Sequence, residues 1–310
     1  MTTPRHFLTG DELSVSEQAR LLTLAHDIKA RPERYRRRLE GRTLAMIFQK
    51  KSTRTRVSFE AGMFQLGGHA LFLGADDIQI GRGETISDTA RVLSRYVDLI
   101  MARVYAHADV EELAATSRVP VINGLSDLHH PCQVLADLQT MAERFGSLHG
   151  RRLAYIGDGN NMAHSLLLGC ARAGMSVSVA TPSGYECQAA IVGRARALAS
   201  AFGQTIVTSH DPAATVKGAD AVYTDVWASM GQEDEHARRL RDFAGFQVDA
   251  ALMAHAQPDA IFLHCLPAHR GEEVSAEVCD GPQSVIFDEA ENRLHAQKAL
   301  LLLLLEEVDS

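Results

Sequence analysis

Five cysteines in 310 residues are too few and too scattered to staple a fold. Cys132, Cys170, Cys187, Cys265 and Cys279 are odd in number and lack any C-x-x-C pair, so no disulfide framework is expected and a reducing cytoplasm fits. Positive charge is not in excess either. With 31 Lys and Arg against 39 Asp and Glu, the net charge is −8, which argues against nucleic acid or an anionic membrane as partner. The opening Met1-Thr2-Thr3-Pro4-Arg5-His6 has no apolar core, so no secretory signal is expected. The one long apolar run, Ala299 to Leu305, falls far short of the ~20 residues a bilayer span needs and reads as buried helix. The phosphate loop G-x-x-x-x-G-K-[ST] is absent, so ATP with Mg²⁺ is not the expected ligand. Fourteen histidines invite a metal, but His129-His130 and His264/His269 lack zinc-site spacing with suitable partners, and no required metal is expected.

What is present is the composition of a soluble globular protein, 46% apolar and 23% charged, long enough for two domains of about 150 residues. The most informative stretch is Phe48-Gln49-Lys50-Lys51-Ser52-Thr53-Arg54-Thr55-Arg56. Leu44 to Phe48 reads as a buried strand; Ser52 stands at an N-cap position; Val57, Ala61 and Phe64 recur at helical spacing up to Gly67-Gly68. The first turn of that helix offers backbone N–H groups without intrahelical partners, the positive end of the dipole, three hydroxyls and two guanidiniums, with no carboxylate. A lone capped helix with a nearby arginine is commonplace; this density of donors directly after a buried strand points to a phosphate site.

Strands and helices then alternate, the pattern of parallel sheets. Strands are expected at Ala70–Leu73, Leu99–Val104 and Val119–Asn123, with Arg103 near a strand's carboxyl end, where open parallel sheets bind ligands. The polar stretch Asp76 to Glu84 is a loop by composition. Pro131 suits the first turn of a helix and points His130 and Gln133 out from its start. Further strands at Leu153–Gly157, Val177–Ala180, Thr205–Thr208, Ala221–Thr224 and Ile261–His264 give a second sheet. Gly157-Asp158-Gly159-Asn160-Asn161 resembles half a dinucleotide fingerprint, but the third glycine is missing and Val177 to Pro182 holds no acid for a ribose, so a dehydrogenase is a weak alternative. Two loops, Asp225 to Gly231 and His264 to Ala268, follow strands at their carboxyl ends.

Ser52-Thr53-Arg54-Thr55-Arg56, His130-Pro131-Cys132-Gln133, Ser229-Met230-Gly231 and His264-Cys265-Leu266-Pro267 together resemble the aspartate/ornithine carbamoyltransferases, on the ornithine side, nearly end to end. The resemblance implies two α/β domains, each a parallel sheet flanked by helices and joined by interdomain helices: residues 1–145 for carbamoyl phosphate, 146–290 for ornithine, and 291–310 as a helix packing back on the first. It implies that Ser52, Thr53, Arg54, Thr55 and Arg56 hold the phosphate, with Gln79 contributed by a neighbouring subunit of a homotrimer. Arg103 and His130, with Thr55, would address the carbonyl oxygen, and Gln133, Arg293 and the carbonyls near Cys265 and Leu266 the carbamoyl NH₂. For ornithine it implies Asn161 at the carboxylate and Asp225, Ser229 and Met230 at the α-amino end, with Cys265 near the attacking amine. The activity so implied is transfer of a carbamoyl group to ornithine in arginine metabolism, without cofactor.

Overall fold

The computed structural model describes residues 4–75, 83–228 and 233–305. The chain divides into two compact units, Met1–Gln139 with Glu291–Ser310, and Thr140–Ala290. In chain order the elements are α1 (Val15–Ala30), β1 (Thr43–Phe48), α2 (Thr53–Gln65), β2 (His69–Gly74), α3 (Ile86–Leu93), β3 (Leu99–Arg103), α4 (His107–Thr116), β4 (Val121–Leu125) and α5 (Pro131–Phe145). They continue as β5 (Arg152–Ile156), α6 (Asn161–Arg172), β6 (Ser176–Ala180), α7 (Ala189–Ser200), β7 (Ile206–Ser209), α8 (Pro212–Val216), β8 (Ala221–Thr224), α9 (His236–Asp242), α10 (Ala250–Met253), β9 (Ile261–Leu263), α11 (Ala276–Cys279) and α12 (Ile286–Leu304).

Every paired strand is parallel, in the orders β2-β1-β3-β4 and β7-β6-β5-β8-β9. β1 shows why helices must cover both faces. Leu44, Met46 and Phe48 enter one core with α1, α2 and the end of α12, while Ala45 and Ile47 enter another with α3 and α4. The run Ala299 to Leu304 is buried in the first of these cores, which explains its apolar character. In the second unit, Ala154, Ile156, Val222 and Phe262 form a core with Trp227, Phe243 and Phe246.

Element edges differ from the expected ones where backbone chemistry intervenes. β4 starts at Val121 because Pro120 has no N–H for the ladder, although its carbonyl accepts from Ile100 N (3.0 Å). The β3–β4 register then pairs Ala102 with Asn123 and Arg103 with Leu125, skipping Gly124. That bulge sits beside Arg103, and a Cβ at Gly124 would lie 2.5 Å from Met101 Sδ. The final helix begins at Ile286, earlier than the 291–310 segment that the resemblance implies, with Asp288 and Glu289 in its first turn. Among the described residues no helix is long and apolar enough to cross a membrane.

Candidate active site

In the first unit, α2 starts as the sequence predicts. Ser52 is extended (φ −162°) and its hydroxyl accepts from Thr55 N at 3.2 Å. Arg103 ends β3, and Gln49 N donates to its carbonyl (2.9 Å), fastening the loop after β1 to the loop after β3. His130 is presented by the turn before α5: Ser126 Oγ accepts from His129 N (3.2 Å) and from Asn123 Nδ2 (3.2 Å). Thr55, Arg103, His130, Gln133 and Arg293 are all buried.

These side chains form one polar group. Arg293 donates from Nη1 to Gln133 Oε1 (2.6 Å) and from Nη2 to Thr55 Oγ1 (3.1 Å), and Gln133 Nε2 donates to Asp137 Oδ1 (2.8 Å). Burial, and then the guanidiniums of Arg293, Arg103 and Arg54, hold the His130 pKa well below the usual histidine value. His130 is therefore a neutral imidazole, a hydrogen-bond donor that costs no proton. Arg56 is not brought into this group. Its guanidinium stacks 3.8 Å over the Phe72 ring and donates to Glu60 Oε1 (3.1 Å) on the same helix face, and the side chain is half exposed. Thr53 is exposed and Gln79 lies outside the described residues.

Two residues here escaped the sequence reading. Gln297, one turn after Arg293, turns its amide oxygen to Arg293 Nε (3.2 Å) and Nη2 (3.0 Å) and its nitrogen to Ser58 Oγ (2.6 Å). Lys50 is buried, its ammonium 4.6 Å from the Tyr105 ring centroid. The i, i+4 spacing on the final helix was a usable signal for Gln297; nothing local marked Lys50.

In the second unit the chemistry collects at the carboxyl ends of β5, β8 and β9. Asp225 is 6% exposed. Its Oδ1 accepts from Val226 N (2.8 Å) and Cys265 Sγ (3.0 Å), and its Oδ2 from Asn160 Nδ2 (3.0 Å). Asn160, not Asn161, caps α6, its Oδ1 accepting from Met162 N and Ala163 N. Asn161 is the first helical residue. Leu266 adopts φ +57°, a conformation unusual for a branched side chain, with His264 Nδ1 accepting from its N–H at 2.8 Å. Arg239 also went unnoticed in sequence: buried, it joins Asp158 Oδ2 (2.6 Å) to the Trp227 carbonyl (2.7 Å). Ser229 and Met230 lie outside the described residues.

The dinucleotide alternative meets a physical obstacle. A Cβ on Gly159 would lie 2.4 Å from Cys187 N, and Gly159 N donates to Tyr185 O (2.8 Å), so this glycine lets two protein loops pack together. Cys265 is the one free thiol that is not buried, and burial pushes Cys132 and Cys187 up to about 12.

An anion-selective helix start in one unit and a carboxylate-centred loop group in the other define a small-molecule group-transfer enzyme of the α/β class. Residues 5–143 match the carbamoyl-P binding domain and residues 149–304 the Asp/Orn binding domain of aspartate/ornithine carbamoyltransferase, and the chain belongs to this family. It is 59% identical over 304 residues to the ornithine carbamoyltransferase of Anoxybacillus flavithermus, covering 97% of this chain and 96% of the relative. The ornithine carbamoyltransferase structure from Pyrococcus furiosus matches with TM-score 0.94 and 55% identity over 97% of both chains. An acetylornithine transcarbamylase complexed with acetylcitrulline shares the fold at TM-score 0.87 and 34% identity, over 96% of this chain and 98% of the other.

Proposed function

We propose that the protein transfers the carbamoyl group of carbamoyl phosphate to the side-chain amine of L-ornithine, giving L-citrulline and phosphate. The observation that carries this is the buried polar group at the start of α2, in which Arg293 joins Gln133 and Thr55 while Arg103 and His130 are buried. Ser52, Thr53, Arg54 and Thr55 hold the phosphate, with Gln79 supplied by a neighbour in a homotrimer. Arg56, already committed to Glu60 and Phe72, supports the helix rather than the anion. Thr55, Arg103 and His130 direct donors at the carbonyl oxygen and stabilise the oxyanion of the tetrahedral intermediate. Gln133, Arg293 and the Leu266 carbonyl orient the carbamoyl NH₂. Asn161 receives the ornithine carboxylate, and Asp225, Ser229 and Met230 fix the α-amino end, with Cys265 beside the attacking amine. The domain division is 1–145, 146–290 and 291–310, and the enzyme works in the cytoplasm.

Direct attack by the amine suffices, so the main catalytic device is holding two substrates in line, worth up to ~7–11 kcal/mol. The amine must first lose a proton. With a lysine-like pKa of ~10.4, the neutral form at pH 7 costs about 4–5 kcal/mol. The rate therefore rises from pH 6 to 9, and a flat initial-rate profile over that range contradicts unassisted deprotonation. Citrulline formation by the purified protein tests the reading as a whole.

A further inference from the structure

A group of side chains in the second unit, apart from Asp225 and its partners, is arranged as metal ligands. His269 Nδ1 lies 3.8 Å from Glu272 Oε2 and 3.8 Å from Glu273 Oε2, and ligand atoms of these three residues all fall within 4.8 Å of one another. From α9, His236 Nε2 lies 3.0 Å from the same Glu272 Oε2 and orients that carboxylate. Around a tetrahedral zinc with bonds of about 2.0–2.2 Å, neighbouring ligand atoms stand about 3.3–3.5 Å apart, so the two 3.8 Å separations close onto an ion with small side-chain shifts.

The second observation is a buried carboxylate oxygen with nothing to bind. Glu273 is fully buried, and its Oε1 accepts from His269 N (2.5 Å) and lies 3.2 Å from His264 Nε2. Among the described residues its Oε2 has no hydrogen-bond partner, yet it is the atom that faces the His269 ring. A carboxylate oxygen held out of water without a donor is costly, and a cation supplies what is missing. The rings of His236 and His269 are 44% and 46% exposed, so an ion can enter from solvent and keep a water.

We propose that His269, Glu272 and Glu273, with His236 holding Glu272 in place, form a binding site for one divalent transition-metal ion, of the zinc and cobalt type that imidazole and carboxylate select together. The ion ties the start of α9 to the segment that follows Cys265. It also reaches the loop at Leu266 through Glu273, because Glu273 holds His264 and His264 Nδ1 accepts from Leu266 N. The site is independent of the carbamoyl chemistry above, which uses no metal.

The test uses the whole protein, stripped with a chelator and titrated with Co²⁺ and then Zn²⁺. One ion per chain is expected, with visible d–d absorption but no thiolate charge-transfer band, and with zinc raising the Tm. His236→Gln and His269→Asn, both at half-exposed positions, each weaken binding at least tenfold, and the double variant loses the zinc-dependent rise in Tm while folding normally by circular dichroism. Cys265→Ser leaves the metal affinity unchanged. No stoichiometric ion, or binding indifferent to both histidine variants, overturns the proposal. So does a thiolate band that disappears in Cys265→Ser, which assigns the ion to the Asp225, His264 and Cys265 group instead.

Discussion

The two sheets of this protein end in opposite chemistry. The carboxyl ends of β1, β3 and β4 carry Arg54, Arg103 and His130, joined by Arg293 from α12, and burial, reinforced by these guanidiniums, holds the His130 pKa well below the usual histidine value. The ends of β5, β8 and β9 instead gather Asn160, Cys265 and two backbone-anchored loops around the carboxylate of Asp225, with Asp158 nearby paired to Arg239. Under the proposed function, a similar topology serves two kinds of recognition, a cluster of cations for a dianion and a hydrogen-bonded carboxylate for a zwitterion. Substitutions on the two sides should separate accordingly.

The largest effect is expected from Arg54→Ala, which removes a cation from the anion side and should weaken carbamoyl phosphate binding by about 2–5 kcal/mol. Equilibrium binding reads this directly; an unchanged affinity breaks the charge-based half of the comparison. Asp225→Asn keeps the shape but removes the charge, and should lower kcat/KM for ornithine by about 1.5–3 kcal/mol. Carbamoyl phosphate binding should be unaltered in that variant, and a parallel loss would mean that the two sides are not separable.

Acid stability sharpens the point at His130. Its folded pKa is depressed by burial and three guanidiniums, so its contribution to stability is complete above the unfolded value of 6.5 and is lost as pH falls from there toward the folded pKa. At pH 5.5 the unfolded state gains about 1.4 kcal/mol by protonating this one residue. His6 and His107, also depressed mainly by burial but with acidic neighbours opposing it, add slopes of the same sign. Chemical denaturation from pH 7.5 to 5.5 should therefore be steeper in the parent than in His130→Asn; equal slopes would contradict the assignment. The smallest effect is expected from Gln297→Ala. Losing its hold on Arg293 should reduce kcat by about 0.5–1.5 kcal/mol, with Gln297→Glu recovering part of the loss and ornithine KM little changed. A change in KM alone would place Gln297 in packing rather than in orienting Arg293.

How far the sequence could be read follows from how local each signal is. The start of α2 was legible because Ser52 and the first turn it caps are adjacent in sequence, and the parallel sheets because strands and helices alternate with distinct periods. The direction of Arg56 was not legible because composition does not say which way a helical side chain points; Glu60 at i+4 was the available clue that it pairs along the helix face. Asn160, Arg239 and Gln297 were missed because their partners are distant in sequence or across a helix turn, and a single chain shows no pairing. The His236, His269, Glu272 and Glu273 group was hidden for the same reason. Histidine spacing alone gave no zinc pattern, since two of the three donors are carboxylates and the histidine that holds Glu272 comes from α9.

The most direct test of the account is an acceptor panel. Purified protein is given carbamoyl phosphate with ornithine, N-acetylornithine, putrescine or aspartate, and the carbamoylated product is quantified. Turnover with ornithine, and at most trace turnover with the others, is the predicted result. Preference for any other acceptor would keep the anion side intact and overturn the reading of the Asp225 side, and no turnover in folded protein would contradict both.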